Sequence, residues 1–182
     1  NFLNKLSNNN LNVKEINLPV LFNESHNIHQ NIYTKSLSYY FREEFDNKKE
    51  MLRASTRKMI EEGNNISNEE YYKNINKQNT MVTELDRIFS DYDILISHST
   101  AGIAPKKNNN LEKNDPCLIW SMSHVPSINI PEFMFNNMPL GLQFIAKRFN
   151  DKYLLNFLKE ISNKGIIKKI SPLPMQLNKY SE

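Results

Sequence analysis

The segment from Ser67 to Ile96 constrains the fold more than any other part of the chain. Ser67 followed by Glu70 forms a capping box, a pair that satisfies free backbone amides where a helix begins. Four apolar residues then recur at helical spacing: Ile75, Val82, Leu85 and Phe89. The apolar run from Tyr92 to Ile96 follows at once and has the length of a buried strand. The sequence therefore predicts a long amphipathic helix that leads directly into a strand.

Two further strands and a closing helix are predicted after this unit. The runs from Ser127 to Ile130 and from Leu140 to Ala146 look like strands. A last helix is expected to begin at Asp151, whose carboxylate can cap it, and to end near Gly165. Its expected core-facing residues are Leu154, Leu155, Leu158 and Ile161. Strands separated by helices predict the α/β class, with a mixed β-sheet covered by helices.

The first part of the chain is predicted to be mainly helical. Residues 12–18 suggest a short strand or an extended segment. One helix is expected over about 24–45 and another over 49–62, with Gly63 as its C-cap. The predicted loops are polar stretches that cannot build a core: Ser7 to Asn10, Gly63 to Ile66, and Lys106 to Asp115.

Composition and charge favour a soluble globular protein. Hydrophobic residues make up 39% and charged residues 24% of the 182 positions, which argues against disorder. No apolar run reaches the roughly 18 residues that a membrane-spanning helix needs. The net charge of +3 comes from basic and acidic residues that are interspersed, so binding to nucleic acid is not expected.

Cys117 is the only cysteine in the chain. A single cysteine excludes an internal disulfide and a multi-cysteine zinc site, and it favours a reducing compartment such as the cytoplasm. Its position between Pro116 and Leu118 favours a small buried hydrophobe over a nucleophile. Because the chain begins with Asn1 and not with Met, we expect the true N-terminus to lie upstream.

Residues that could carry hydrolytic chemistry occur in two clusters. Ser97, His98 and Ser99 lie in a row, and Ser121, Ser123 and His124 lie close together. A hydroxyl next to a base is what nucleophilic catalysis needs. Adjacent residues on a strand point to opposite faces, however, so a strand end or helix edge that bears Ser and His is the simpler interpretation.

The helical part contains residues of types that bind metals or transfer protons. His26 and His29 are spaced three apart, with Glu24 nearby, and could share a metal. Partly exposed surface histidines are the commoner arrangement, so no metal site is predicted. The acidic pairs and clusters are most simply solvated helix faces: Glu43, Glu44, Asp46, Glu61 and Glu62.

An ordered series of short motifs runs from Tyr92 to Leu155. The series is Tyr92-Asp93-Ile94-Leu95-Ile96, Ala104-Pro105, Asp115 to Trp120, Val125 to Pro131, Met138 to Gln143, Asp151 and Leu154-Leu155. It resembles the closing third of the amidase-signature family. There a Tyr-Asp strand, an Ala-Pro turn, a strand that ends in Pro and a Leu-Pro-apolar-Gly-apolar-Gln strand follow one another. The sequence departs from the family pattern at Ser97-His98 and at His124, which leaves the substrate open.

The resemblance implies that residues 1–182 are the C-terminal part of one amidase domain. A helical segment would span about 24–90, a sheet-forming segment about 92–165, and an irregular tail 166–182. Amidase-signature enzymes hydrolyse carbon–nitrogen bonds of amides with a Ser-Ser-Lys mechanism and no cofactor. In the family those three residues lie in the N-terminal half of the domain. No serine or lysine of this chain sits in a motif that matches theirs. No catalytic residue is therefore expected here, and the chain should be inactive alone.

The same resemblance implies partners and a pocket wall. The implied partners are a small amide substrate and the N-terminal half of the domain, without nucleic acid or membrane, and a homodimer is left open. In the family, the segment that corresponds to Asp115–Val125 borders the acyl pocket, which makes Trp120, Met122 and His124 candidate wall residues. For Trp120, core packing is favoured over the wall role.

Four residues of the matching strands are predicted to be structural. Gly141 would allow close approach of another backbone. A buried Gln143 would bond to neighbouring backbone or join the site. Pro131 and Pro139 would close and open strands around a turn at Asn136-Asn137.

Two other functions stay open. One is a catalytically inactive amidase-like subunit that serves binding or assembly, and the other is the A-type subunit of a transfer-RNA-dependent amidotransferase. The stretch from Asp115 to Trp120 resembles solitary amidases more than that amidotransferase component.

Overall fold

The computed structural model describes residues 2–103 and 115–167. The elements in chain order are α1 (Phe2–Asn8), α2 (Ser25–Tyr40), α3 (Arg42–Asn47), α4 (Ala54–Asn64), α5 (Asn68–Asp91), β1 (Leu95–His98), α6 (Leu118–Met122), β2 (Ser127–Phe135), β3 (Met138–Ile145) and α7 (Asp151–Asn163). The predicted α/β class is confirmed. The Ala104-Pro105 turn, nearly all of the loop at 106–115 and the tail beyond 167 lie outside the described residues.

The described sheet has three antiparallel strands in the order β1-β3-β2. β2 and β3 form a hairpin in which Ser127 lies opposite Ile145. β1 pairs with the other side of β3, with Leu95 also opposite Ile145. β3 is therefore central, and it is buried from Gly141 to its end.

The sheet separates two apolar cores because side chains alternate between its faces. On one face, Leu142 and Phe144 pack with residues of α1 and α7, such as Leu6 and Leu158. On the other face the core is built from α2, α5, α6 and two strand residues: Ile28, Met81, Leu85, Phe89, Trp120, Leu95 and Ile145. Helices thus cover both faces of the sheet.

The long helix α5 confirms the prediction from its cap and apolar face. The Glu70 N–H donates to Ser67 Oγ at 3.0 Å, and Val82, Leu85 and Phe89 are buried. The N–H of Tyr92 donates to the Ile88 carbonyl, so this residue closes the helix and the strand begins at Leu95. None of the helices in the described ranges is long and apolar enough to cross a bilayer.

The prediction that Gly63 caps a helix is wrong. α4 runs through Gly63 to Asn64, and a Cβ on Gly63 would lie 2.0 Å from the carbonyl oxygen of Thr34. Glycine is needed here because the backbones of α2 and α4 touch. The predicted helix over 24–45 is also divided, with a break at Phe41 between α2 and α3.

The prediction that Pro131 closes its strand is wrong. β2 continues to Phe135, and the register shifts between Ile130 and Phe133. Such a shift marks a β-bulge. A proline is tolerated there because a bulge residue need not donate a hydrogen bond to the neighbouring strand. The turn at Asn136-Asn137 is confirmed, and both residues have positive φ, as a two-residue hairpin turn requires.

Three smaller predictions are corrected. The expected loop at Ser7 begins too early, because α1 extends to Asn8. The N-cap of α7 is Asn150, and no side-chain bond caps that helix, so Asp151 does not have the capping role. Leu155 is exposed, since it points away from the face that Leu154 and Leu158 bury.

Candidate functional site

A row of polar side chains crosses the sheet on the face that α6 covers. Ser97 of β1, Gln143 of β3 and Asn129 of β2 lie directly opposite one another. Gln143 is buried, Ser97 is half-buried and Asn129 is exposed. Two residues further along the strands, Leu95 and Ile145 belong to the apolar core of the same face. The row is therefore a polar strip that borders a core and opens to solvent at β2.

Trp120 connects α6 to this polar row. Its indole N–H donates to Ser97 Oγ at 3.3 Å. The helix is also held to α5, because Gln78 Nε2 donates to the Met122 carbonyl at 2.7 Å. Trp120 and Met122 are each 4% exposed and pack in the core between α2, α5 and the sheet.

His124 is placed differently from the other two predicted wall residues. Its side chain is exposed, and its φ of 55° lies in the left-handed region. It occupies the turn between α6 and β2, where the Val125 N–H donates to the Trp120 carbonyl. Of the three residues, only His124 presents its side chain to solvent in the described part of the protein.

Two buried polar atoms, one in the row and one at the end of α6, have no partner among the described residues. They are Gln143 Oε1 and Ser123 Oγ. Ser123 is fully buried, and no sequence signal marks it apart from its neighbours. Because buried polar atoms normally have a partner, both atoms have an unused capacity to accept a hydrogen bond.

Gly141 lies where side chains converge on the central strand. A Cβ at this position would lie 2.0 Å from Asn129 Oδ1 and 2.7 Å from Ser99 Oγ. Both the N–H and the hydroxyl of Ser99 donate to the Gly141 carbonyl, at 3.1 and 3.2 Å. The close approach is as predicted, but side chains and not another backbone make it.

The serine and histidine clusters do not form a catalytic pair. Ser99 is buried just after β1, whereas its neighbour His98 is exposed. A different contact joins Ser25 Oγ to His26 Nδ1 at 3.5 Å. Ser25 is buried at the start of α2, so a substrate cannot reach its hydroxyl. Sequence reasoning had no signal for this pair.

The two histidines of α2 have separate surroundings. The His29 ring stacks on Tyr33 with centroids 5.5 Å apart, and burial, followed by the charge of His26, lowers the pKa of His29. Glu24 forms an ion pair with Lys77 at 2.5 Å. Across residues 2–103 and 115–167, no group of three His, Cys, Asp or Glu residues could hold a metal ion.

Alkylation of Cys117 should be slow, because burial and the neighbouring Asp115 raise the pKa of its thiol to about 11. A raised pKa keeps the thiol neutral, and only the thiolate reacts. At pH 8 the rate with iodoacetamide should be about 100-fold below that of a thiol with the ordinary pKa of 9.0. The rate should rise about tenfold per pH unit up to about pH 11. The Asp115→Asn variant should react faster, and a plateau near pH 9 would contradict this assignment.

The family model described as Amidase matches residues 1–155. Among curated proteins, the chain is 34% identical over 94 residues to the A-type component of the glutamyl-tRNA(Gln) amidotransferase of Staphylococcus carnosus, an alignment that covers 46% of this chain and 19% of that protein. The chain therefore spans about a fifth of the length of this curated relative.

Solved structures share the fold at low sequence identity. A crystal structure of an amidase superposes with a TM-score of 0.78 and 17% identity, over 89% of this chain and 40% of that chain. The 6-aminohexanoate cyclic dimer hydrolase with its substrate superposes with a TM-score of 0.75 and 13% identity, over 97% of this chain and 42% of that chain.

Proposed function

Because this chain belongs to the amidase family, we propose that it is the C-terminal part of an amidase-signature hydrolase that cleaves the carbon–nitrogen bond of a small amide. The family match over residues 1–155 carries the proposal. Its support is the fold shared with an amidase, of which this chain covers 40%. On this proposal residues 1–182 are one part of a larger amidase domain, with a helical segment at about 24–90, a sheet-forming segment at about 92–165 and an irregular tail at 166–182.

The proposal assigns the Ser-Ser-Lys residues to the part of the domain upstream of this chain. The buried serine hydroxyls and the cysteine thiol described above support that assignment, because neither kind of group is suited to attack a substrate here. Ser25 and Ser123 are buried, and the pKa of the Cys117 thiol is raised. The 182-residue chain alone should therefore be inactive. Its contribution is the sheet and one side of the substrate pocket, with no metal or organic cofactor.

In this proposal His124 faces the pocket, and Trp120 and Met122 support the wall from behind. The exposed side chain of His124, at a turn residue with a φ of 55°, supports the first role. The bond from Trp120 to Ser97 supports the second, since it ties α6 to the sheet. Gly141, Gln143 and Pro131 keep structural roles.

An A-type subunit of a transfer-RNA-dependent amidotransferase is the second candidate, favoured by the identity of 34% to a protein of that name. We rank the solitary amidase first because the stretch from Asp115 to Trp120 resembles solitary amidases. An inactive binding or assembly subunit ranks third. We further propose a cytoplasmic location without membrane or nucleic-acid partners, since Cys117 is the only cysteine and the charges of both signs are interspersed.

The complete gene product that carries this sequence should release ammonia or an amine from at least one small amide, while the 182-residue chain should release none. The assay uses a panel of aliphatic and aromatic amides and glutamine. His124→Ala should raise KM at least about threefold, the change expected from losing roughly 0.7 kcal/mol of substrate contact. Ser121→Ala, a nearby exposed position, is the control and should leave KM unchanged.

Three results would change the assignment. If glutamine is turned over only when glutamyl-tRNA is present, the protein is the A-type subunit of an amidotransferase. No turnover of any amide by the complete product would favour the inactive binding protein. A gene product no longer than this chain would contradict the hydrolase.

A further inference from the structure

The side chain of Asn129 lies over Gly141 on the α6 face of the sheet. A Cβ on Gly141 would lie 2.0 Å from Asn129 Oδ1 and 2.8 Å from Asn129 Cγ. The same Cβ would lie 2.7 Å from Ser99 Oγ. Asn129 belongs to β2 and Ser99 follows β1, so their side chains converge across the central strand. The bare Cα of Gly141 therefore makes the room that the Asn129 carboxamide occupies.

A buried polar side chain, Gln143, lies directly opposite Asn129 on the central strand. Gln143 is 8% exposed, and its Oε1 has no partner in the described part of the chain. Asn129 is exposed and belongs to the outer strand β2, so it lies between Gln143 and solvent. A buried oxygen without a partner is rare enough to need an explanation. Here the unused acceptor lies beside the exposed end of the polar row.

The Ser99 hydroxyl adds a second acceptor next to Asn129. It donates its proton to the Gly141 carbonyl at 3.2 Å, so that bond leaves the lone pairs of Ser99 Oγ unused. The surface around Asn129 thus offers several accepting oxygen atoms together with the amide donors of Asn129 itself. Such a surface is complementary to a neutral group that both donates and accepts hydrogen bonds.

The wall around Asn129 carries no formal charge. The strand residues on the α6 face are all uncharged: Leu95, Ser97, Ser127, Asn129, Gly141, Gln143 and Ile145. Helix α6 contains no Asp, Glu, Lys or Arg either. Within the three described strands Glu132 is the only such residue, and it lies 3.8 Å from Lys5 of α1, which packs on the opposite face. A charged ligand group would find no counter-charge in this wall to offset its lost hydration.

We propose that Asn129 selects substrates whose group next to this wall is uncharged and donates a hydrogen bond, such as a second carboxamide. This role rests on the proposed function, since it belongs to the same pocket. A carboxamide can donate its N–H to the side-chain oxygen of Asn129 or Ser99. A carboxylate cannot donate and brings a charge, while an ammonium group donates but lacks a counter-charge. Gly141 is a positioning residue, because it makes room for the Asn129 side chain.

Two substrates of equal size separate charge from shape. Succinamide and succinamate differ only at one end, which is a carboxamide in the first and a carboxylate in the second. For the complete gene product, kcat/KM should be at least about 100-fold higher for succinamide. γ-Aminobutyramide, whose far end is an ammonium group, should be poorer than succinamide by at least about tenfold. Equal values for the three substrates would contradict the proposal.

The Asn129→Asp variant keeps the shape of the side chain and adds one negative charge. It should lower kcat/KM for succinamide at least about tenfold and raise it for γ-aminobutyramide at least about tenfold. Ser121→Asp is the matched control, because it adds the same charge at an exposed position of α6. That control should change the ratio of the two substrates by less than about threefold. Equal changes of the ratio in both variants would overturn the role of Asn129.

Gly141→Ala tests how Asn129 is held in place. The atoms nearest to the new Cβ belong to the side chains of Asn129 and Ser99, so the carboxamide should move aside while the strand stays paired. KM for succinamide should rise at least about fivefold with kcat unchanged, as it should in Asn129→Ala. The double variant should be no more than about twofold worse than either single variant, because both remove the same contact. Additive losses, or a fall in kcat, would contradict the positioning role.

A binding measurement by nuclear magnetic resonance needs no turnover. Isotope labelling of the side-chain amides lets the Asn129 carboxamide be followed in the complete gene product, and its signal is identified by its loss in Asn129→Asp. Saturating succinamide should shift this signal, and the same concentration of succinamate should not. Without a shift on addition of succinamide, the assignment of Asn129 is wrong.

Failure of the Asn129 role and failure of the hydrolase give different results. A shift of the Asn129 signal without turnover of any amide would support the role of Asn129 and remove the proposed function. Turnover of succinamide with the same substrate preference in the wild type and in Asn129→Asp would keep the hydrolase and overturn the role of Asn129.

Discussion

Replacing Phe144 by alanine should lower the free energy of unfolding by about 3–5 kcal/mol. Phe144 is 0% exposed on the central strand. Its ring lies against Phe2 of α1 and Phe157 of α7, with centroids 6.3 and 6.4 Å apart. Removing the ring leaves a cavity at the point where both helices meet the sheet. Because domains are stable by only about 5–15 kcal/mol, the variant should lose a large share of its stability.

Urea denaturation followed by far-ultraviolet circular dichroism measures this loss. The control is Phe135→Ala on the same hairpin, where the side chain is 59% exposed. That variant should change the free energy of unfolding by less than about 1 kcal/mol. Equal losses for the two variants would show that the core on the α1 and α7 face is not formed as described.

Replacing Gly63 by alanine should cost about 3 kcal/mol. In an exposed helix the same change would stabilise by about 1 kcal/mol, because alanine is the better helix former. Here the new Cβ would lie 2.0 Å from Thr34 O and 2.4 Å from Thr34 C, so α2 and α4 must move apart. The sign of the effect therefore distinguishes close helix packing from an exposed position inside a helix, where alanine would stabilise.

Gly102→Ala is the matched control, because no described atom lies within 4 Å of a Cβ built there. Its effect on the midpoint of thermal unfolding should be small. A stabilising Gly63→Ala would contradict the contact between α2 and α4. Gly63→Ser should be at least as destabilising as alanine, since its side chain is larger.

The difference between Gly63 and the α5 cap shows which features a sequence reveals. Ser67 and Glu70 act on each other within one helical turn, so their role can be recognised from their spacing alone. Gly63 is required by Thr34, which lies on another helix. A glycine followed by polar residues reads as a helix end, and nothing local distinguishes a close helix contact from a C-cap.

The candidate site also contains some features that the sequence reveals and others that only the fold creates. The residues of α6, Leu118–Met122, are contiguous and mostly apolar, so the sequence marks them as a unit. The sequence could not determine that Trp120 and Met122 would be buried while His124 stays exposed, since the covering residues come from α2, α5 and the sheet. The unpartnered Gln143 Oε1 and Ser123 Oγ likewise appear only after folding.

By itself the sequence determined the local elements of this protein: the capped helix α5, the turn at Asn136-Asn137 and the core-facing positions Leu154, Leu158 and Ile161 of α7. Each depends on residues within a few positions of one another, through capping, turn geometry and helical period. Only the tertiary structure decided the strand order β1-β3-β2, the contact at Gly63 and the polar row of Ser97, Gln143 and Asn129. These depend on groups far apart in the chain, whose meeting is set by how whole helices and strands pack.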